Sequence, residues 1–229
     1  DELKKIEAVW RKTQEVKTPQ LLVVSGEMGS GKSRVIGEFL AESVIDKGLV
    51  ATIGRCDELA APYTPFAEIL AALFDRGLVK RSTIDARIDR IIEQIPGLAA
   101  LLNIERAGAR PEKKARTVTT GLWKTLGDRL PNSAATEDRL QAQWQFFSLV
   151  ATILAELGPT VIFLDEAVYL DESSAALAHF LIQQGQSPLL LVAECRSNGQ
   201  EPGWLTKFSA DERTTIHLPA LTSADIKAY

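Results

Sequence analysis

The sequence predicts an α/β fold in which a parallel five-stranded sheet lies between two layers of helices. Five short runs, four of them mainly apolar, alternate along the chain with stretches whose apolar residues recur at helical spacing. Runs that are apolar on both faces are typical of parallel strands buried between helices. The 229 residues, of which 45% are hydrophobic and 24% charged, are enough for one large domain of this class and argue against disorder over the whole length.

Each predicted element rests on a local pattern. Strands are predicted at four short, mainly apolar runs, residues 20–25, 49–54, 160–164 and 188–193, and at residues 214–218, TTIHL. Helices are predicted where apolar residues recur every three or four positions, at residues 2–15, 33–43, from 66 onward, 84–95, 118–130, 144–157 and 173–184. Residues 105–116 and 127–138 carry glycine, proline and charged residues and are predicted as surface loops.

A phosphate-binding loop is predicted directly after the first strand. Residues 26–33, GEMGSGKS, match the pattern G-x-x-x-x-G-K-[ST] without a gap, and a predicted helix follows. Glycines let successive backbone N–H groups turn toward an anion, and the helix N-terminus adds unpaired donors. Lys32 is expected to bind the β- and γ-phosphates and Ser33 to ligate Mg²⁺. The nucleotide-binding residues are therefore Gly26, Glu27, Met28, Gly29, Ser30, Gly31, Lys32, Ser33 and Arg34.

Two carboxylates end the third predicted strand and point to hydrolysis. Residues 161–164, VIFL, are followed by Asp165 and Glu166. Ligands of open α/β sheets bind at this carboxyl edge. Asp165 is placed to hold Mg²⁺ through water, and Glu166 to orient or polarise an attacking water. The alternative is an acidic loop after an ordinary buried strand. A small-molecule kinase needs no water-activating glutamate here.

The fourth predicted strand leads to Arg196, which is assigned to the γ-phosphate; a surface arginine that ends the strand is the alternative. Nothing resembling a catalytic triad surrounds His179 or His217, so both are expected to be structural. Cys56 and Cys195 lie outside any C-x-x-C or metal spacing and are expected to be buried free thiols, which fits a reducing, cytoplasmic compartment.

The formal charge is 26 − 30 = −4, so direct nucleic-acid binding is not indicated. The one basic cluster, in residues 106–116, is interpreted as a solvated surface. A membrane-length apolar run and a signal peptide are both absent from the sequence, and no membrane partner is expected.

Several short segments resemble one family. Residues 54–56 and 61–66, GRC and APYTPF, are similar to its G-R-C and P-Y-x-P-F segments, and residues 165–171, DEAVYLD, to its E-D-L-H-W-A-D block. Residues 190–196 resemble its strand ending in T-Y-R, and 218–221 its turn before a lid. Together they resemble the STAND branch of AAA-like P-loop ATPases, as in large LuxR-type transcriptional activators and cyclase-associated regulators. Val168 and Tyr169 depart from the block's His and Trp.

The resemblance implies a P-loop NTPase fold with strand order 5-1-4-3-2 and a helical insertion between strands 2 and 3. It implies a core over residues 1–221, a helical segment at about 66–157, and the start of a truncated lid or winged-helix region at 222–229. It assigns Arg196 as a sensor arginine and Pro219 to the nucleotide. It also implies bound ADP or ATP with Mg²⁺, and self-association or contact with other domains of a longer chain.

Three functions follow from these observations. The first is a slow ATPase that acts as a regulatory switch in signal transduction or transcription regulation, holding ADP at rest and exchanging it for ATP. The second is an ADP- or ATP-dependent binding module without significant turnover, which has no need of Glu166. The third is a P-loop kinase of a small molecule, for which the sequence shows no substrate site or lid arginine cluster.

Overall fold

A computed structural model describes residues 2–60, 62–79, 136–196 and 201–220, and elements are numbered within these ranges. The strands are β1 Gln20–Gly26, β2 Val50–Arg55, β3 Thr160–Asp165, β4 Leu189–Arg196 and β5 Arg213–Leu218. The helices are α1 Glu2–Val16, α2 Lys32–Phe39, α3 Thr64–Asp75, α4 Thr136–Glu156 and α5 Glu172–Gln184. A π-helical turn, Leu40–Ile45, extends α2, and 3₁₀ turns lie at Ala167–Tyr169, Gly203–Lys207 and Ala210–Glu212.

The five strands form one sheet in the order β2-β3-β4-β1-β5, and every neighbouring pair is parallel. This is the predicted order 5-1-4-3-2 counted from the opposite edge, so the predicted fold is confirmed. The connection from β2 to β3 contains α3 and α4. The helices predicted at 84–95 and 118–130, and the lid predicted at 222–229, lie outside the described residues.

Side chains that alternate along the strands divide the core into two layers. Leu22 and Val24 of β1 and Leu190 and Val192 of β4 face α1 and α2 in one cluster, whose members also include Ile6, Trp10, Ile36 and Phe39. The intervening strand residues face α3, α4 and α5 in a second cluster, with Phe66, Ile153, Leu154, Leu177 and Leu181. The sheet is therefore buried on both faces, as the continuous apolar runs predicted.

Several element boundaries differ from the sequence prediction, and in α4 and β4 one end of the element lies three residues or more beyond the predicted end. Helix α4 begins at Thr136, inside the predicted loop at 127–138. Acidic residue types such as Glu137 and Asp138 are favoured in a first helical turn, and the preceding turn-forming residues concealed this start. Strand β4 continues from Ala193 to Arg196, because β1 still offers partners as far as Gly26, opposite Arg196.

Of the two histidines interpreted as structural, His179 is half-buried and His217 is exposed. Both cysteines are buried free thiols, as expected. His179 on α5 contacts the ring of Phe208 edge to face at 5.2 Å, and Nδ1 of His217 lies 3.3 Å from the Ser25 hydroxyl. No helix within the described ranges has the length and apolar character needed to cross a membrane.

Gly54 marks a close approach between β2 and α3, and its replacement tests this packing. A Cβ atom there would lie 2.5 Å from the Pro65 carbonyl oxygen and 2.8 Å from Ile69 Cδ1. We expect Gly54→Ala to lower the free energy of unfolding by about 1–3 kcal/mol, the usual cost of overpacking, as measured by urea denaturation. A Cβ at Gly37, inside α2, meets no atom within 4 Å. The control Gly37→Ala should therefore be neutral or stabilising by about 0.5–1 kcal/mol. Equal losses in both variants would contradict the close contact.

Candidate nucleotide-binding site

The loop between β1 and α2 has a conformation that requires glycine at defined positions. Gly29 and Gly31 have φ angles of 80° and 83°, in the left-handed region, and Gly31 is the N-cap of α2. At Gly26 a Cβ atom would lie 2.7 Å from the backbone carbonyl oxygen of Leu218 in β5. The glycines of the pattern therefore serve both the turn and the close contact with the neighbouring strand.

Lys32 lies at the start of α2 with its side chain only 4% exposed. Its ammonium group donates hydrogen bonds to the backbone carbonyl oxygens of Gly26, at 3.1 Å, and of Glu27, at 2.8 Å. These bonds hold the charge at the mouth of the loop. The Ser30 hydroxyl is also buried and has no hydrogen-bond partner within the described part of the chain.

Four strand-end side chains belong to the sheet face that carries α2. Val161 and Phe163 of β3 pack on that face, so Asp165 follows them at the same two-residue spacing. The same alternation places Glu194 and Arg196 after Leu190 and Val192 of β4, and Arg55 after Ala51 of β2. The register of the strands then brings these four side chains to one edge of the sheet, because Gly26 pairs with Arg196 and Asp165 pairs with Arg55.

These residues surround a cleft of ≈ 420 Å³ at the carboxyl edge of the sheet. Its lining is formed by Met28, Gly29, Gly31, Lys32, Ser33, Arg34, Arg55, Asp165, Glu166, Glu194 and Arg196. Nine of these residues are predicted site residues. Gly26, Glu27 and Ser30 belong to the same loop without lining the cleft. Pro219 follows β5 with an exposed side chain outside the lining, so its contact with the nucleotide stays a prediction.

Glu166 and Arg196 form an ion pair across the cleft. The guanidinium Nη2 donates to Glu166 Oε1 at 2.7 Å, and the two side chains are 31% and 40% exposed. Glu166 has a φ of 51° and precedes the 3₁₀ turn Ala167–Tyr169. The indole Nε1–H of Trp204 donates to the carbonyl oxygen of Ala167 at 2.6 Å. The backbone next to Glu166 is therefore anchored while its carboxylate is engaged by Arg196.

Glu194 lines the cleft and is absent from the site residues predicted from the sequence. The Ser33 hydroxyl donates to Glu194 Oε2 at 2.8 Å, and Glu194 Oε1 lies 4.0 Å from Lys32 Nζ. Arg55 is the second residue missed; its side chain lines the cleft, while its backbone N–H donates to Glu68 at 2.9 Å. The signal for Glu194 was its spacing of two residues from Arg196, which puts both side chains on one face.

The oxygen donors in the cleft fit a magnesium ion shared with phosphate. Mg²⁺ prefers one or two carboxylates together with phosphate oxygens and water over a cage made only of protein ligands. Ser33, Asp165 and Glu194 supply a hydroxyl and two carboxylates to the same cleft. Within the described residues, no cluster of three or more His, Cys, Asp or Glu side chains is arranged to hold a metal. A hydroxyl and two carboxylates fit a metal that keeps phosphate oxygens and water among its ligands.

Tyr63 and Asp171, in the two segments APYTPF and DEAVYLD, have structural roles. Tyr63, with a φ of 65°, is the N-cap of α3, and its ring contacts Phe146 and Phe147 edge to face. Asp171 is the N-cap of α5 and accepts hydrogen bonds from the backbone N–H groups of Ser173, at 3.0 Å, and Ser174, at 2.9 Å. The last acid of the DEAVYLD block therefore caps a helix.

The sheet order and the position of the glycine-rich loop make this chain a P-loop NTPase. Residues 1–192 match the AAA ATPase domain family, and the chain belongs to that family. Membership indicates a nucleotide-binding ATPase module, a class that typically uses Mg²⁺ and often oligomerises. The narrower resemblance to the STAND branch stays a prediction.

Similarity beyond the family is remote. No curated protein is significantly similar in sequence. A chain in the structure of Drosophila ORC bound to DNA is 11% identical with a TM-score of 0.42, covering 100% of this chain and 96% of that one. A chain in the structure of Drosophila ORC bound to GC-rich DNA and Cdc6 is 10% identical with a TM-score of 0.41, covering 100% and 59%. Similarity at this level indicates nothing about function.

The two cysteines beside the cleft should be unreactive in the folded chain. Burial raises the pKa of Cys56 to about 12, and nearby Asp171 and Asp165 add to the shift. Burial likewise raises the pKa of Cys195 to about 12, with a contribution from Glu194. Only the thiolate is nucleophilic, so at pH 8 both should react with a thiol reagent on the order of 10³-fold more slowly than in denaturant. Rapid labelling of folded protein would contradict this burial.

Proposed function

We propose that this domain is an ATP-binding regulatory switch that hydrolyses ATP slowly. The observation that carries the proposal is the ion pair between Arg196 and Glu166 inside the phosphate cleft. The pair joins the residue assigned to sensing the γ-phosphate with the residue assigned to the attacking water. A γ-phosphate that binds Arg196 would therefore change the environment of Glu166 directly.

Nucleotide binding would use the loop from Gly26 to Ser33. The ammonium of Lys32 would exchange backbone carbonyl oxygens of Gly26 and Glu27 for phosphate oxygens, which are charged and therefore stronger acceptors. Ser33 and Asp165 would hold Mg²⁺, which neutralises charge on the β- and γ-phosphates. ATP and ADP are the proposed ligands.

Slow turnover would follow from the ion pair in which Arg196 occupies the Glu166 carboxylate. A carboxylate oxygen that already accepts a charged hydrogen bond from Arg196 at 2.7 Å has fewer lone pairs available for a water. Hydrolysis would require Arg196 to transfer to the γ-phosphate first. Such an exchange gives two arrangements that ATP and ADP bias differently, which is what a population shift requires.

The nucleotide state would be transmitted from the core to a lid, to a second copy of the chain or to other domains. We propose that residues 1–221 form the core, that residues 222–229 begin a lid, and that the output is self-association or contact with other domains in signal transduction or transcription regulation. Family membership supports oligomerisation as one such output. The two buried free thiols support a reducing, cytoplasmic compartment.

Glu166→Gln tests the hydrolytic assignment. The amide cannot polarise water as a carboxylate does, so we expect phosphate release to fall by about 10²-fold or more while ATP stays bound. Phosphate release and the nucleotide retained after desalting are the measurements. Glu172→Gln is the control, since Glu172 pairs with Lys207 outside the cleft lining. Hydrolysis at the parent rate would show that Glu166 has no such role.

The same assay separates the other two functions. Retained nucleotide with no phosphate release by the parent chain would favour the binding module. Phosphate release in ATP and buffer, with no acceptor present, would count against a small-molecule kinase.

Arg196→Ala tests the sensing assignment. A hydrogen bond to a charged partner contributes about 1.5–3 kcal/mol, so the preference for a non-hydrolysable ATP analogue over ADP should fall by about tenfold or more. Calorimetric titration with Mg²⁺ gives both dissociation constants. Arg11→Ala, on the exposed side of α1, is the charge-matched control and should keep the parent preference. An unchanged preference in Arg196→Ala would remove the residue from γ-phosphate sensing.

A further inference from the structure

The Glu194 carboxylate lies next to Lys32 and Ser33, the two side chains proposed to bind the phosphates and the metal ion. Its Oε2 accepts the hydrogen bond of the Ser33 hydroxyl at 2.8 Å, and its Oε1 lies 4.0 Å from the ammonium of Lys32. The carboxylate is 12% exposed and the Lys32 side chain 4%, so water screens the interaction weakly. The phosphate loop is therefore built with an acid already in contact with it.

This position has opposite consequences for two forms of the nucleotide. A metal-free triphosphate that approaches Lys32 meets the Glu194 carboxylate, and charges of like sign repel strongly where water is largely excluded. A divalent cation reverses the sign, because carboxylate oxygens attract it. A cation held by the Ser33 hydroxyl would also meet Glu194, since these two groups are already in contact.

We propose that Glu194 makes nucleotide binding conditional on a divalent cation, by opposing the metal-free nucleotide and favouring its metal complex. The proposal rests on the nucleotide-binding function proposed above and adds a residue whose charge decides which form binds. Asp165, at the end of the neighbouring strand β3, lines the same cleft. Asp165 is expected to favour the metal complex as well. Among the described contacts, however, it is Glu194 that accepts the hydrogen bond of the Ser33 hydroxyl.

If Glu194 acts in this way, its charge should couple the binding of the metal ion to the binding of the nucleotide. The coupling is measured as the ratio of the ADP dissociation constant in excess EDTA to that in Mg²⁺, by calorimetric titration of the full chain. We expect Glu194→Gln to lower this ratio on the order of tenfold or more, with tighter binding in EDTA, because the amide keeps the shape but removes the repulsion. ATP in place of ADP should give a change at least as large, because its γ-phosphate adds charge.

Two variants make the result specific. Glu194→Asp keeps the charge and should keep most of the parent ratio, which a purely structural role for the longer side chain would not predict. Glu38→Gln removes the same charge from an exposed position of α2 and should leave the ratio unchanged. Thermal unfolding of each variant shows that it is folded before titration.

Each outcome decides one question. An unchanged ratio in folded Glu194→Gln overturns the proposal. A ratio that falls only through weaker binding in Mg²⁺ also overturns it, because Glu194 would then be a metal ligand without a repulsive role. If the parent chain binds neither ADP nor ATP in either condition, the nucleotide-binding function itself fails, which is a separate result.

Discussion

The parallel pairing of β1 with β4 is the interaction on which the site depends. It runs from Gln20 opposite Leu190 to Gly26 opposite Arg196, so the strand that ends in the phosphate loop is fixed against the strand that ends in Glu194 and Arg196. A parallel ladder aligns the carboxyl ends of its strands, and the helix that follows β1 then starts beside them. A one-residue slip would turn Glu194 and Arg196 toward the opposite face, where Ala193 and Cys195 pack.

The cleft that results contains closely balanced charge. The cleft is lined by four basic residues, Lys32, Arg34, Arg55 and Arg196, and by three acidic residues, Asp165, Glu166 and Glu194. Two of these acids are within 4.0 Å of a cation. A triphosphate with its metal brings both signs of charge into this set, so it competes for the cations and offers a new partner to the acids. Nucleotide binding in such a cleft would be an exchange of partners, and an exchange of this kind would give the proposed switch discrete states.

Much of this arrangement could be predicted from the sequence because it depends on local patterns. Apolar runs alternating with amphipathic stretches were enough for the three layers and the parallel sheet, and the spacing of glycines around Lys32 was enough for the loop. Asp165 and Glu166 were found because they follow an apolar run without interruption. Glu194 was missed because the predicted strand ended at Ala193, so the alternation that places it beside Arg196 was not extended. The ion pair of Glu166 with Arg196 joins residues 30 positions apart and depends on tertiary register.

The two glutamates at the strand ends differ in how firmly each is held. Glu166 is paired with Arg196, and both side chains are about a third exposed, so water and counterions compensate when the pair separates. Glu194 is paired with a lysine that is almost fully buried and also accepts the Ser33 hydroxyl, so separation there leaves charges with little solvent. Separation of the Glu166 pair is therefore the easier of the two, which is consistent with the proposed response to the γ-phosphate. The firmer contact at Glu194 is consistent with the proposed requirement that each nucleotide binds together with a divalent cation.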